Sequence, residues 1–457
     1  HFYRHLPLLT KYIERCQTRL QATQPDNHVL VYFPMHDLWA GPAKSAGGIH
    51  QLEVHHVDRW LLPLPFGRLG ESLTRNGLGF DYVSDRQLTD LRAGPGGQLL
   101  AVGGRYRVLV VPEVTYLPET TAQRLLDLAR QGVRVIFVGK TPTLAPGFRE
   151  ADRRNAQVQR LMQDVRAQPS VRVVSEAARD LVGELWWNGG QPEGFVPRSR
   201  LSFIRRKSGD SLVYFIANLT DRGATDSVQI HRDPRQTRAR RYDPLTDRTD
   251  ELPVATDHVG IRLEPGESLF LTIFPGKAQP VAKRPAARPA ALTLTGPWRL
   301  DFPDGAPYRP GPQTLPALRS WVLPGDSLTG WFSGTGRYAL RFSLPAGFPK
   351  NQPLTLDLGD VREVAEVRLN GRDLGTAWCL PFRVAVPPGA LRAENTLEIR
   401  VTNLSANRVR FLDQKKVPWK TFYDINLVDI RYRPFDASRA ELVPSGLLGP
   451  VRLLATP

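Results

Sequence analysis

Residues 363–382 read EVAEVRLNGRDLGTAWCLPF. Val364, Glu366 and Arg368 alternate with Ala365, Val367 and Leu369, the period of a half-buried strand. Asn370-Gly371 tolerates the positive φ angles of a two-residue hairpin turn. The return strand RDLG is short, and Gly375 permits a bulge or a close approach. Trp378 and Pro381-Phe382 follow at once. The stretch predicts an antiparallel hairpin of a β-sandwich with a tryptophan beside its end. Trp378 either packs the core, as large aromatics usually do, or lies flat beside a sugar ring.

The same strand grammar extends over the last third of the chain. GRYALRFSLP (336–345), PLTLDLGDV (353–361), FRVAVP (382–387), NTLEIRVTN (395–403) and GPVRLLA (449–455) read as short strands between turn residues. They predict a jelly-roll sandwich over 293–457. Upstream, KAQPVAKRPAARPAAL predicts a semi-rigid linker over 277–292. Before it, LSFIRRKSGDSLVYFIANLTD (201–221), ARRYDPLTDRTDEL (239–252) and GIRLEPGESLFLTIFP (260–275) read as three hairpins of a small antiparallel sandwich, 196–276. Helical periodicity is absent from 195 onward.

The first part of the chain is built differently. HVLVYFP (28–34), FDYVS (80–84), YRVLVVP (106–112), VRVIFVG (133–139) and VRVVS (171–175) are mostly continuous apolar runs, the mark of strands buried on both faces. Helical stretches lie between them, the clearest PETTAQRLLDLARQG (118–132), with Pro118 and Glu119 suited to its first turn and Gly132 to its end. This alternation predicts a doubly wound α/β domain over 25–195. Residues 1–24 read as one helix.

Bulk properties set the bounds. A chain of 457 residues, 41% hydrophobic, can bury several cores. No apolar run reaches the length of a membrane span, and no signal peptide opens the chain. It begins at His1, not Met, which reads as part of a longer protein. The net charge of +16 points to acidic partners. Of 61 basic residues only ten are Lys, and the Arg are scattered. The clusters 205–207 and 235–241 lack the interleaved aromatics that stack bases, so nucleic acid is not the expected partner. Cys16 and Cys379 lack zinc-ligand spacing. No Walker loop, zinc motif or Ser-His-Asp order appears. GLGF (77–80) and SGTG (333–336) read as turns, too short to cradle phosphate.

Residues 356–403 resemble the sugar-binding, galactose-binding-like jelly roll of family 2-type glycoside hydrolases. Together with WKTFYDINLVDIRYRPFDASRAELVPSGLLGPVRL (419–453) they resemble the C-terminal region of glycoside hydrolase family 106, the α-L-rhamnosidase-like enzymes. KYIERCQTRLQATQPDNHVLVYFPMHDLW (11–39) agrees with that resemblance. It implies that residues 1–24 are the last helix of a catalytic barrel and that 25–195 form a glutamine-amidotransferase-like domain. It also implies an inverting mechanism, which needs two carboxylates about 6.5–9.5 Å apart. Those would lie in the barrel, upstream, so no catalytic residue is assigned in this chain. The position where an amidotransferase carries its cysteine is VVPEVTY (110–116). It holds Glu113, expected as a solvent-facing carboxylate at a strand end.

Candidate sugar contacts follow. His36, Asp37 and Trp39 sit at the carboxyl end of a parallel strand, where ligands of open α/β sheets gather; the plainer reading is a packing loop. In the last domain Trp331, Trp378, Trp419 and Tyr423 offer flat apolar walls, and Asn370, Asn407 and Asp424 offer hydrogen bonds. NLSANR (403–408) reads equally as an ordered turn. No metal site and no cofactor is evident; the resemblance allows calcium in the full-length family. It implies a polysaccharide or oligosaccharide partner and a periplasmic or secreted location. The alternative is a stand-alone, non-catalytic carbohydrate-binding or scaffold protein. That alternative predicts salt-sensitive binding to acidic polysaccharide without hydrolysis. Polysaccharide retention unchanged between low and high salt in affinity electrophoresis would remove its electrostatic part.

Overall fold

A computed structural model describes residues 2–40, 57–175, 178–187, 193, 201–252, 258–277, 291–322, 329–420 and 433–455. The predicted linker falls almost wholly outside the described residues, as do Tyr423 and Asp424. The chain divides into two compact units. One comprises His1–Glu14, Glu264–Glu267 and Ala282–Pro457, the other Arg15–Leu263 and Ser268–Val281. The N-terminal helix α1 runs Leu6–Gln21.

The unit around residues 15–281 holds a five-stranded parallel sheet. Its strands are β1 (Val29–Tyr32), β2 (Phe80–Val83), β3 (Val108–Val111), β4 (Val135–Val138) and β5 (Val171–Val174), in the order β2-β1-β3-β4-β5. Its helices, beside the single turn Val57–Trp60, are α2 (Met35–Ala40), α3 (Pro65–Arg75), α4 (Asp85–Asp90), α5 (Glu119–Arg130), α6 (Ala151–Arg166) and α7 (Ala178–Trp187). The three central strands are buried at every position. Their alternate residues feed two cores. Leu30, Tyr32, Leu109, Val111, Val135 and Phe137 pack with α5 and α6. Val29, Val31, Val108, Val110, Ile136 and Val138 pack with Phe66, Leu69 and Leu73 of α3 and Leu181 and Leu185 of α7. Helices cover both faces, so the central strands carry no polar alternation.

The same unit continues into antiparallel sheets formed by β6 (Ser202–Ser208), β7 (Ser211–Ala217), β8 (Ala224–Gln229), β9 (Arg238–Asp243), β10 (Arg248–Leu252), β11 (His258–Leu263) and β12 (Ser268–Phe274). Gln24–Pro25 forms one edge of the larger sheet, followed by β6-β7-β12-β9-β10, and β8 pairs with β11 in the smaller one. Tyr214, Ile216, Ala239, Leu271 and Ile273 meet Val259, Ile261 and Leu263 in the core between them. The stretch 260–275, read from sequence as a hairpin, is instead a crossing between sheets: β11 pairs with β8, and β12 with β7 and β9. β11 alternates buried and exposed positions and β12 buries Leu269, Phe270 and Leu271 in a row, and neither pattern alone chooses the partner.

Where the parallel sheet and the larger antiparallel sheet belong to one unit, a buried ionic cluster joins their elements. Glu193, only 2% exposed, accepts hydrogen bonds from the Arg205 guanidinium, from Tyr214 Oη at 2.9 Å and from the His231 amide at 3.1 Å. Arg205 Nε also donates to Asp26 at 2.9 Å. His28 lies two residues beyond Asp26. Desolvation, and then the positive charges of Arg205 and Arg107, lower its pKa from 6.5 to about 3, against the opposing pull of Asp26.

The other unit holds a sandwich. Its strands are β13 (Ala291–Thr293), β14 (Trp298–Ala306), β15 (Gln313–Leu315), β16 (Ser333–Ser343), β17 (Leu354–Asp357), β18 (Asp360–Arg362), β19 (Val364–Leu369), β20 (Arg372–Ala377), β21 (Arg383–Val386), β22 (Glu394–Thr402), β23 (Gly446–Gly449) and β24 (Arg452–Ala455). Sheets of order β13-β24-β17-β21 and β15-β14-β16-β22-β19-β20 share one core. Leu354, Leu356, Val386 and Leu453 meet Leu300, Tyr338, Ile399 and Val367 there.

The hairpin of the opening stretch is β19–β20. Asn370 and Gly371 take φ of 53° and 81°, and the register slips between Val367 and Arg368, opposite Gly375 at φ 103°. The return strand runs to Ala377, longer than the RDLG read from sequence.

Two expectations fail in this unit. SGTG (333–336) is not a turn but the start of β16, paired with β14 and β22. Its glycines permit close packing: a Cβ on Gly336 would lie 2.4 Å from the Trp321 ring, and one on Gly334 2.4 Å from the Gly305 Cα. A helix, α8 (Ala406–Gln414), stands where only strands and turns are expected. Among the described residues no helix is long and apolar enough to cross a membrane.

His28 gives a pH signature. The unfolded chain protonates this imidazole below about pH 6.5, whereas the folded chain resists protonation down to about pH 3. Its contribution is therefore intact above pH 6.5 and is lost as pH falls through that window, on the order of a few kcal/mol. Denaturant melts of the wild type and of His28→Gln across pH 7.5 to 4 should diverge in slope, the variant falling less steeply.

Candidate functional site

The carboxyl ends of β1, β2 and β3 gather the first group of candidates. α2 begins three residues after β1 and carries His36, Asp37 and Trp39. Asp37 accepts from the Thr115 amide at 2.7 Å and the Tyr116 amide at 3.0 Å, so both its oxygens hold the loop after β3. His36 Nε2 lies 3.5 Å from Asp85 Oδ2. Asp85 also accepts from Tyr32 Oη at 2.8 Å and Thr121 Oγ1 at 2.6 Å. Burial first, and then the Asp85 charge, push the Tyr32 phenol far above its ordinary pKa, so Tyr32 is a fixed donor. Trp39 is 66% exposed and meets His36 edge-on at 5.7 Å.

Of the three, Asp37 is occupied with backbone, while His36 and Trp39 form a small polar and aromatic surface. Asp85 escapes the sequence reading. Its signal is SDRQ at 84–87 directly after β2, a capping box in which Ser84 and Gln87 bond reciprocally and place Asp85 in the first turn of α4.

Glu113 is partly exposed at the end of β3. Its Oε2 accepts from the Lys140 amide at 3.2 Å, across Gly139. A Cβ at Gly139 would lie 2.2 Å from that oxygen.

In the sandwich unit, α8 brings two tryptophans into one neighbourhood. Trp331 stacks on Phe411 with ring centroids 3.9 Å apart, and the Lys415 ammonium lies 6.0 Å from the Trp331 centroid. Trp419 Nε1 donates to Asp413 at 2.7 Å, and Lys420 lies 5.4 Å from the Trp419 ring. Asn407 is 2% exposed and exchanges hydrogen bonds with the backbone of Val443. Trp378 is half-buried, edge-on to Tyr12 at 6.2 Å. Asn370 donates to Ala390 O at 2.9 Å and Asn395 Oδ1 at 3.0 Å, and accepts from the Thr396 amide at 2.9 Å. These bonds make Asn370 and Asn407 turn-fixing residues. Asp424 lies outside the described residues. Among the described residues no three His, Cys, Asp or Glu gather as metal ligands.

This is a multidomain, mostly β-sheet protein with a fold found in a rhamnosidase. The structure of the rhamnosidase from Novosphingobium sp. PP1Y superposes on 99% of this chain and 41% of that one, with a TM-score of 0.69 at 23% identity. Residues 71–252 match the family model described as alpha-L-rhamnosidase, glycoside hydrolase family 106. A protein of Formosa agariphila named "Putative beta-glucuronidase" is 32% identical over 220 residues, covering 42% of this chain and 19% of that one. The chain spans less than half the length of either protein. The resemblance to glycoside hydrolase family 106 read from the sequence is thus borne out at the level of the family, through residues 71–252.

Replacing Asn370 by Ala should lower stability by about 2 kcal/mol, since three hydrogen bonds go and a positive φ remains. A denaturant titration followed by tryptophan fluorescence reads this. A shift below about 0.5 kcal/mol, within the range of ordinary surface substitutions, would show that the amide does not fix the turn.

Proposed function

We propose that this chain is the accessory portion of an α-L-rhamnosidase-like glycoside hydrolase acting on a polysaccharide. The observation that carries the reading is the family match over 71–252, which runs from α3 through β10. It is supported by a rhamnosidase fold that extends over nearly all of the chain. In this reading the parallel-sheet region is the amidotransferase-like domain, without a catalytic cysteine at the position of Glu113. The final sandwich is a galactose-binding-like jelly roll. Its aromatic neighbourhood at Trp331 and Trp419, beside Lys415 and Lys420, offers apolar ring faces with cations near them, a composition suited to sugars. His36 and Trp39 offer a second such surface.

The accessory role rests on sheet architecture. Among the described residues the parallel strands form one open sheet and all other paired strands are antiparallel. A catalytic (β/α)8 barrel closes eight parallel strands. The two carboxylates of an inverting glycosidase are therefore assigned to a barrel outside this chain. Export to the periplasm or the medium, where polysaccharides are met, fits the role.

The test is hydrolysis of an aryl α-L-rhamnoside by this chain alone and by a longer product of the same gene that carries a barrel. Turnover only in the longer protein is the expected result. Turnover by the chain alone would overturn the accessory role and direct attention to His36, Asp85 and Glu113.

A further inference from the structure

At the carboxyl ends of β3, β4 and β5 lies a groove of about 590 Å³, lined by Glu113, Thr115, Lys140, Thr141, Thr143 and Arg166 among others. Its volume falls within the span of small-molecule sites, about 300–1,000 Å³. Its polar groups are arranged unevenly. Glu113 is anchored through one oxygen to the Lys140 amide, which leaves its second oxygen as an acceptor. Among the described residues, Lys140 Nζ and the Arg166 guanidinium have no carboxylate partner. The side-chain hydroxyls of Thr115, Thr141 and Thr143 likewise make no bond there.

Two cations without a carboxylate partner among the described residues, one fixed carboxylate and three hydroxyls define a ligand. The cations require an anion, and the planar Arg fork suits a carboxylate. The Glu113 charge disfavours a dianion such as phosphate. Glu113 and the threonines require hydroxyl groups on the ligand. A neutral sugar would leave both cations unused.

We infer that this groove binds a sugar acid, its carboxylate on Lys140 and Arg166 and its hydroxyls on Glu113 and the threonines. The site stands apart from the His36 and Trp39 surface and needs no hydrolytic activity. The shared chemistry is a hydroxylated monocarboxylate, supplied either by a free uronic acid or by the end of an acidic chain.

The experiment titrates the chain with D-glucuronate, D-galacturonate, D-galactose, inorganic phosphate and an oligogalacturonide, read by calorimetry. Either uronate should bind, with galactose and phosphate weaker. The double variant Lys140→Gln/Arg166→Gln should lose about tenfold or more in uronate affinity, the scale of a charge-assisted pair. Glu113→Gln should lose a smaller factor. Both sites of the double variant are exposed, so its thermal midpoint should match the wild type. Tighter binding of the oligosaccharide would assign the chain end, and equal affinity the free sugar. No uronate binding, equal binding of galactose, tighter binding of phosphate, or unchanged affinity in a folded double variant would each overturn the inference. Because turnover is not read, this failure is separable from failure of the rhamnosidase reading.

Discussion

The Glu193 carboxylate and the Arg205 guanidinium form the contact on which the larger unit depends. Burying either ion alone costs several kcal/mol, and the pair is tolerable only when the remaining lone pairs and protons are satisfied. Tyr214, the His231 amide and Asp26 supply that satisfaction. The partners come from distant places in the chain. Asp26 precedes β1, Arg205 lies in β6 and Tyr214 in β7. Glu193 also exchanges backbone with the turn after α3, its amide donating to Gly77 O at 2.9 Å. Residue 77 takes a φ of 73°, and a Cβ there would stand 2.2 Å from Glu193 O. The charge pair and the glycine turn thus fix one joint from two sides. His28 is held neutral first by its burial and then by the charges of Arg205 and Arg107, to which its own would add.

The sequence discloses elements whose signals are local. VLVY, VLVV and VIFV are buried at every position and read so because both faces of their sheet are covered. Asn370-Gly371 states its turn in two residues. What stays hidden depends on partners far along the chain. SGTG looks like a turn until Trp321 is placed against Gly336, a contact fifteen positions apart that only the folded sandwich makes. β11 and β12 look like a hairpin because the alternation names a buried face without naming the sheet that buries it. α8 is short and weakly patterned; Phe411 on Trp331 and Asn407 on Val443 hold it through tertiary contacts, and a nine-residue helix has little stability of its own.

Site residues follow the same division. The placement of His36 and Trp39 just after a buried strand is legible in the sequence. Asp85 is not, because its importance lies in Tyr32, Thr121 and His36 converging on it from other elements. Asparagines mislead in the opposite direction. Asn370 and Asn407 look like hydrogen-bond donors for a ligand. Yet an amide with one donor group and one acceptor is equally suited to pairing with backbone, and both are used in that way.

The edge of the parallel sheet shows where that suitability leads. In strand order β2-β1-β3-β4-β5 the crevice between β1 and β3 is the usual ligand site. Here Asp37 crosses it and takes the Thr115 and Tyr116 amides, donors that would otherwise face an anion. The protein's own carboxylate fills the role of a ligand at that point. Open space remains one step along the edge, beyond β3 and β4, where Gly139 lets Glu113 lie down against the next strand and the cations of Lys140 and Arg166 stand without carboxylate partners among the described residues. Asp37 occupies the amides at the first crevice and an absent Cβ at Gly139 gives Glu113 room at the second, both above the same buried strands.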